Sequence, residues 1–200
     1  MTDWEQLYQE GTTPWDKGAG SPPLVDYLAT SHGWDGGRIL VPGCGQGHDV
    51  RVIAAACPKA EVVGLDLAPS AVDLAKSFPK TGQESYLLAD WFALDEAAEE
   101  DKFDVVWEHT CFCAIDQNRR DDHVAAAARS LRAGGELVGV FYLNPYDEEH
   151  TPGGGPPHGV EKEELVERFS RRFDIIDQWC PENTYPGREG LEWMMRMQVR

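Results

Sequence analysis

The sequence predicts an α/β fold: a seven-stranded, mostly parallel sheet with helices on both faces and an antiparallel hairpin at its C-terminal end. Three observations predict it. Short apolar runs alternate with segments of helical periodicity along most of the chain, as parallel strands joined by crossover helices require. A glycine-rich turn, Gly43-Cys44-Gly45-Gln46-Gly47, follows the first apolar run directly. The last two apolar runs are joined through Pro181 to Gly190 with no helical pattern between them, which makes them a hairpin.

The elements follow in order. Ile39-Leu40-Val41 is a short buried strand, and His48 to Cys57 reads as the helix after the glycine turn. Glu61 to Asp66 is a second strand, and Pro69 opens a helix over Ser70 to Phe78, since proline suits a first helical position. Tyr86-Leu87-Leu88 is a third strand and Phe103 to Trp107 a fourth. Asn118 to Leu131 carries Val124, Ala128 and Leu131 on one helical face and is expected to stop at Gly134-Gly135. Leu137 to Tyr142 is a fifth strand, and Leu165, Val166 and Phe169 mark another helix. Phe173 to Trp179 and Leu191 to Val199 are the closing pair. Residues 1–200 read as one domain. A long Gly/Pro-rich loop over residues 144–159 follows the fifth strand at the carboxyl edge, where open sheets place their ligands and where long loops are often functional.

The 200 residues carry 42% hydrophobic and 26% charged side chains, ordinary for a soluble globular protein. No apolar run approaches the ~20 residues of a membrane span, and the opening Met1-Thr2-Asp3-Trp4-Glu5 lacks the basic and apolar segments of a signal peptide. The formal charge is −17. That field repels phosphate backbones and anionic lipid, so neither nucleic acid nor membrane is an expected partner. Cys44, Cys57, Cys111, Cys113 and Cys180 are an odd, unevenly spaced set. They suit a reducing cytoplasm better than a disulfide framework, and Cys111-x-Cys113 has no neighbours that complete a zinc site.

The chemistry concentrates at strand ends. The glycines at 43, 45 and 47 let the backbone turn tightly and admit a ligand, and the next helix offers free N–H groups and a positive dipole end. Asp66 ends the second strand roughly 20 residues on, where an acid accepts from ribose hydroxyls. Asp90 and Trp91 follow the third strand, an acceptor for an adenine amino group and an indole to stack on its ring. His109 follows the fourth strand. The spacing is G-x-G-x-G rather than the G-x-G-x-x-G usual for dinucleotides. This favours S-adenosylmethionine, whose methionine carboxylate suits the helix terminus. An NAD-dependent oxidoreductase is the competing reading.

The sequence resembles the thiopurine S-methyltransferase family, and within it the plant-type thiol, thiocyanate and halide methyltransferases. The matching residues are Trp4, Tyr8 and Trp15, the run Leu40 to Val50, Val63-Gly64-Leu65-Asp66, Asp90-Trp91, Phe112 to Ile115, and Gly154 to Pro157. The resemblance implies a Rossmann-like class I methyltransferase fold. It implies cofactor contacts from Trp4, Tyr8, Trp15, Gly43, Gly45, Asp66, Asp90, Trp91 and His109, with residues 1–22 as a cap and 144–159 as a substrate-side loop. Val41 stands where most Rossmann-like methyltransferases carry an acid, as in this family. Family members usually have Trp at Tyr8, and Tyr or Arg at His109. A cap also makes physical sense from the residues themselves. Thr2 and Glu5 can form a capping box, Trp4, Leu7 and Tyr8 share a helical face, and aromatic faces attract a sulfonium cation.

The expected reaction is one in-line displacement. A small soft nucleophile (thiol, thiocyanate, bisulfide or halide) takes the methyl group and S-adenosyl-L-homocysteine leaves. A thiol of pKa about 8.5 needs only modest help, so positioning and exclusion of water carry the catalysis. Tyr142 could orient an anionic substrate, and His158 could take a thiol proton near neutral pH. Phe112, Trp15 and Tyr146 are candidate pocket walls. A hydroxyl, carboxylate or amine acceptor is the alternative within methyl transfer. The expected partner is a small molecule or small anion, with the protein a monomer or weak oligomer.

Overall fold

The computed structural model describes residues 2–30, 34, 36–94, 98–143 and 155–200. They form two compact units, residues 1–95 and 96–200. All seven expected strands are present.

In the first unit, parallel strands lie in the order β3-β2-β1, with β1 at Arg38–Pro42, β2 at Glu61–Asp66 and β3 at Glu84–Leu88. Helices α1 (Trp4–Gln9) and α2 (Pro22–Ala29) precede them, and α3 (His48–Ala56) and α4 (Pro69–Ser77) alternate with them. β1 and β2 are buried almost throughout, so both faces must be apolar and the strands read as continuous apolar runs. Leu24, Ile39, Leu40 and Ile53 are fully buried. Helix α2 has no counterpart in the sequence reading. Ser21-Pro22-Pro23 starts it with prolines at the first two positions, and it buries Leu24 and Tyr27. The helix cap also differs from the expected Thr2–Glu5 box. Asp3 is the N-cap and its Oδ1 accepts from the Gln6 N–H at 3.0 Å, which leaves Glu5 for another partner.

In the second unit the order is β4-β5-β7-β6. β4 is Phe103–His109, β5 Leu131–Tyr142, β6 Phe173–Trp179 and β7 Glu192–Val199. β4 and β5 are parallel, while β7 is antiparallel to both β5 and β6, as the hairpin required. Helix α5 (Arg120–Ser130) follows β4 and α6 (Lys162–Phe169) follows β5. The expected glycine stop is corrected here. The helix ends at Ser130, and Leu131 already pairs with Phe103. Gly134-Gly135 instead lie in a bulge, after which pairing resumes at Val105 and Glu136, a device that adds residues to one strand. Phe112, Phe141 and Phe169 form the core, with ring centroids 5.2–5.8 Å apart. His123 sits edge-on to Phe112 at 5.2 Å and is fully buried. Burial lowers its imidazole to about 3, so it packs as a neutral ring.

Gly64 in β2 is tightly packed beneath the glycine turn. A Cβ there would lie 2.9 Å from Cys44 Sγ, Tyr86 Cδ1 and Val50 Cγ2. Gly64→Ala is expected to cost about 1–3 kcal/mol, at roughly 2–4 °C per kcal/mol for a chain of this size. Thermal unfolding followed by circular dichroism checks this.

Candidate cofactor site

The glycine turn leaves β1 at Pro42 and enters α3 at His48. Gly47 is the N-cap of α3 at φ +73°, and a Cβ there would fall 2.6 Å from the Tyr86 ring. Gly45 has φ +52°, with its Cβ direction 3.0 Å from the Tyr8 hydroxyl. Both positions need the left-handed backbone and the missing side chain.

Asp66 ties this turn to the end of β2. Its Oδ2 accepts from the Gly45 N–H and its Oδ1 from the Ala68 N–H, both at 2.9 Å. The carboxyl is 8% exposed. Burial raises its pKa, and the backbone N–H groups of Ala68, Gly45 and Leu67 offset only part of that rise. Each oxygen keeps a further acceptor site, so the group can still receive hydroxyl donors.

The opening segment lies against the same turn. Trp15 meets Trp4 edge-on at 5.2 Å and Tyr8 at 5.8 Å, and its indole N–H donates to the Tyr8 hydroxyl at 3.3 Å. Burial pushes the Tyr8 phenol up, with the Trp15 donor opposing. It is a neutral hydroxyl beside the Gly45 turn. Asp90 is exposed and caps a short 3₁₀ turn, accepting from the Phe92 N–H at 2.9 Å. Trp91 is buried and stacks on Phe92 at 6.1 Å. The structure thus gathers Tyr8, Trp15, Gly45 and Asp66 around one turn. Several contributors there had no assigned role in the sequence: Tyr86 beneath Gly47, and His48 and Asp49, which hold the opening segment. The His48 Nε2 stands 3.2 Å from Asp16 Oδ1, and Asp49 Oδ1 accepts from the Ser21 N–H at 2.7 Å.

The residues fit an S-adenosyl cofactor by their own chemistry. There is a cradle without side chains at positions 45 and 47, a buried carboxylate with spare acceptor sites, and aromatic rings suited to a cation. The comparisons agree. Residues 1–184 match the sequence profile of the family described as thiopurine S-methyltransferase. The chain belongs to the thiopurine S-methyltransferase family. It is an S-adenosylmethionine-dependent methyltransferase. A probable thiol methyltransferase 2 of Arabidopsis thaliana is 36% identical over 201 residues, 96% of this chain and 83% of that protein. A thiocyanate methyltransferase 1 of Brassica oleracea is 36% identical over 162 residues, 78% of this chain and 66% of that protein. The crystal structure of the Burkholderia thailandensis 1,6-didemethyltoxoflavin-N1-methyltransferase, with bound 1,6-didemethyltoxoflavin and S-adenosylhomocysteine, shares the fold. Its TM-score is 0.72 at 18% identity, over 98% of this chain and 85% of that one. The class I methyltransferase fold expected from the sequence is therefore the fold found, and the dinucleotide reading of the glycine turn falls away.

The second unit holds the other expected residues. His109, half-buried, ends β4 and stacks on Tyr185 at 6.1 Å. Tyr142 ends β5, with the Arg188 guanidinium 4.5 Å over its ring and 5.5 Å over that of Tyr185. Arg188 Nη1 pairs with Glu192 Oε1 at 3.0 Å, and Glu192 is fully buried. Arg188 lies in the Pro181–Gly190 connection and had drawn no attention in the sequence, where nothing but its charge amid Pro and Gly marks it. His158 sits on other partners: its N–H donates to the Cys113 carbonyl at 2.6 Å and its carbonyl accepts from Arg120 Nη2 at 3.2 Å. Phe112 is a core ring here. Tyr146 and residues 144–154 of the expected loop lie outside the described residues.

Glu108 is a further buried acid with no role assigned from the sequence. It is fully buried, and its Oε1 accepts from the Phe112 N–H at 2.8 Å. This pins a turn in which Thr110 adopts φ +58°, strained for a β-branched residue. Burial raises the Glu108 carboxyl to about 7, and burial with Glu108 beside it pushes the Cys113 thiol up to about 12. Cys113 is therefore no thiolate at neutral pH. The raised Glu108 pKa means the folded state holds a proton that the unfolded chain releases above about 4.5. That contribution to stability is lost as pH rises toward 7. In urea unfolding at pH 5 and pH 8, the wild type is expected to lose stability relative to Glu108→Gln as pH rises. Parallel behaviour of the two proteins would contradict the assignment.

Proposed function

We propose that this enzyme methylates a small soft nucleophile, a thiol, thiocyanate, bisulfide or halide, with the cofactor held over the Gly43–Gly47 turn. When bound, S-adenosylmethionine supplies an electrophilic methyl group on a sulfonium. Asp66 accepts from the ribose hydroxyls, Trp4, Tyr8 and Trp15 cover the cation, and Gly43 and Gly45 admit the ligand to the backbone. Asp90, Trp91 and His109 add contacts to the adenosine portion, and residues 1–22 act as the cap.

One observation carries the choice of acceptor. Arg188 is fixed on the Tyr142 ring at 4.5 Å by a fully buried glutamate, so a positive charge stands at the end of β5 in a chain of net charge −17. Local donors outweigh a screened distant field. Only one of the five guanidinium N–H donors is committed to Glu192, so an anionic nucleophile finds both a charge and donors over the Tyr142 ring. Thiocyanate, bisulfide and halide arrive already nucleophilic and need orientation more than a base. For a neutral thiol, His158 is the proposed proton acceptor, its backbone held at both ends by Cys113 and Arg120. The described residues 155–159, tied to Cys113 and Arg120, are assigned to the substrate side. The names of the thiol and thiocyanate methyltransferase relatives support the same reading. The acidic charge and five free cysteines support a cytoplasmic monomer or weak oligomer without nucleic-acid partners. Among the described residues, no helix is long and apolar enough to cross a membrane.

With S-adenosylmethionine supplied, headspace analysis is expected to show methyl iodide, methanethiol and methyl thiocyanate from iodide, bisulfide and thiocyanate. Turnover of phenols, amines or carboxylates in place of these acceptors would contradict the proposal. Asp66→Ala is expected to weaken S-adenosylhomocysteine binding at least tenfold, about 1.4 kcal/mol, measured by calorimetric titration.

A further inference from the structure

Helix α4 lacks the means to cap itself. Its N-cap is Ala68, whose methyl group accepts nothing, and Pro69 has no N–H. The first orphan donor of the helix is therefore the Ser70 N–H. Glu5, 65 positions upstream, supplies the missing acceptor. Its Oε2 accepts from the Ser70 N–H at 2.9 Å, and its Oε1 accepts from the Ser70 hydroxyl at 2.7 Å. Gln9 Nε2 donates to the same Oε1 at 2.9 Å and steadies the carboxylate from within α1. The Ser70 N–H and then its hydroxyl hold the Glu5 carboxyl below the usual carboxylate range.

Helix α1 depends on this contact. It has six residues, none of them buried, far below the length at which a helix stands alone. It nevertheless carries Trp4 and Tyr8, which flank Glu5 and meet Trp15. The far end of the segment is fastened differently. Ser21 is fully buried and its N–H donates to the buried Asp49 at 2.7 Å, with Asp16 against His48 at 3.2 Å between the two ends. One end is a buried anchor, and the other is a half-exposed carboxylate–serine contact that water can compete for.

We propose that the Glu5–Ser70 contact is a latch: it caps α4 from outside the helix and holds the aromatic segment closed over the Gly45 turn. Glu5 and Ser70 are thus positioning residues that set how long the cofactor product stays bound. The proposal rests on the reading that this segment covers the cofactor.

Stopped-flow measurement of S-adenosylhomocysteine dissociation, followed by tryptophan fluorescence, tests it. Glu5→Ala and Ser70→Ala are each expected to speed dissociation three- to tenfold. The double variant should be no faster than the quicker single one, because both break one contact. Glu5→Gln should recover part of the effect, since its one amide oxygen can still accept from Ser70. A contact that merely stabilises the fold would lower the melting temperature and leave the dissociation rate alone. Unchanged rates in both alanine variants, with S-adenosylhomocysteine still bound tightly, would overturn the latch and spare the cofactor site. Failure of the wild type to bind S-adenosylhomocysteine would overturn both.

Discussion

The cofactor half of this enzyme depends on one buried carboxylate. Asp66 ends β2, and its two oxygens take the Gly45 and Ala68 N–H groups. Those bonds fix the turn after β1 and the entry to α4 from a single point. Burial alone would drive such a group toward its neutral form, and donated N–H bonds oppose this. The result is an acceptor already oriented before any ligand arrives, so little reorganisation remains to be done at binding. Positions 45 and 47 then have to be glycine, because Tyr8 and Tyr86 occupy the space where side chains would go.

The aromatic segment complements that acceptor. A sulfonium is attracted to ring faces, and Trp15 meets both Trp4 and Tyr8 with ring centroids 5.2 and 5.8 Å away. Two of them, Trp4 and Tyr8, are carried by a helix too short to hold its own place, so the segment's position is set by polar contacts to α3 and α4. The second unit works by a different arrangement, in which guanidinium groups with little exposure are each paired with a carboxylate. Arg188 with Glu192, and Arg120 with Glu164 at 2.9 Å, place guanidinium groups against aromatic rings. In a strongly acidic chain, Arg188 puts a fixed cation at the end of β5.

Much of this was legible in the sequence. Strands buried on both faces read as apolar runs, and β2 and β6 agree with their sequence ranges residue for residue. The glycine turn and Asp66 were legible because their spacing is local. What was not legible involves distant partners or sequence patterns with two outcomes. The Thr2–Glu5 box was a sound local expectation, but Glu5 has a better partner 65 residues away, which no spacing rule anticipates. Gly134-Gly135 fits a helix stop and a bulge equally well, and pairing of Leu131 with Phe103 decides for the bulge. Glu108 directly follows the Val105-Val106-Trp107 run, and nothing local marks it. Only the fold shows that it is buried and bonded to the turn it precedes.

Hydrogen–deuterium exchange with and without S-adenosylhomocysteine tests the central claim most directly. The account predicts that protection concentrates in three segments of the first unit: residues 4–16, 43–48 and 66–70. Protection that spared the glycine turn and the opening segment, or lay chiefly elsewhere in the chain, would contradict it.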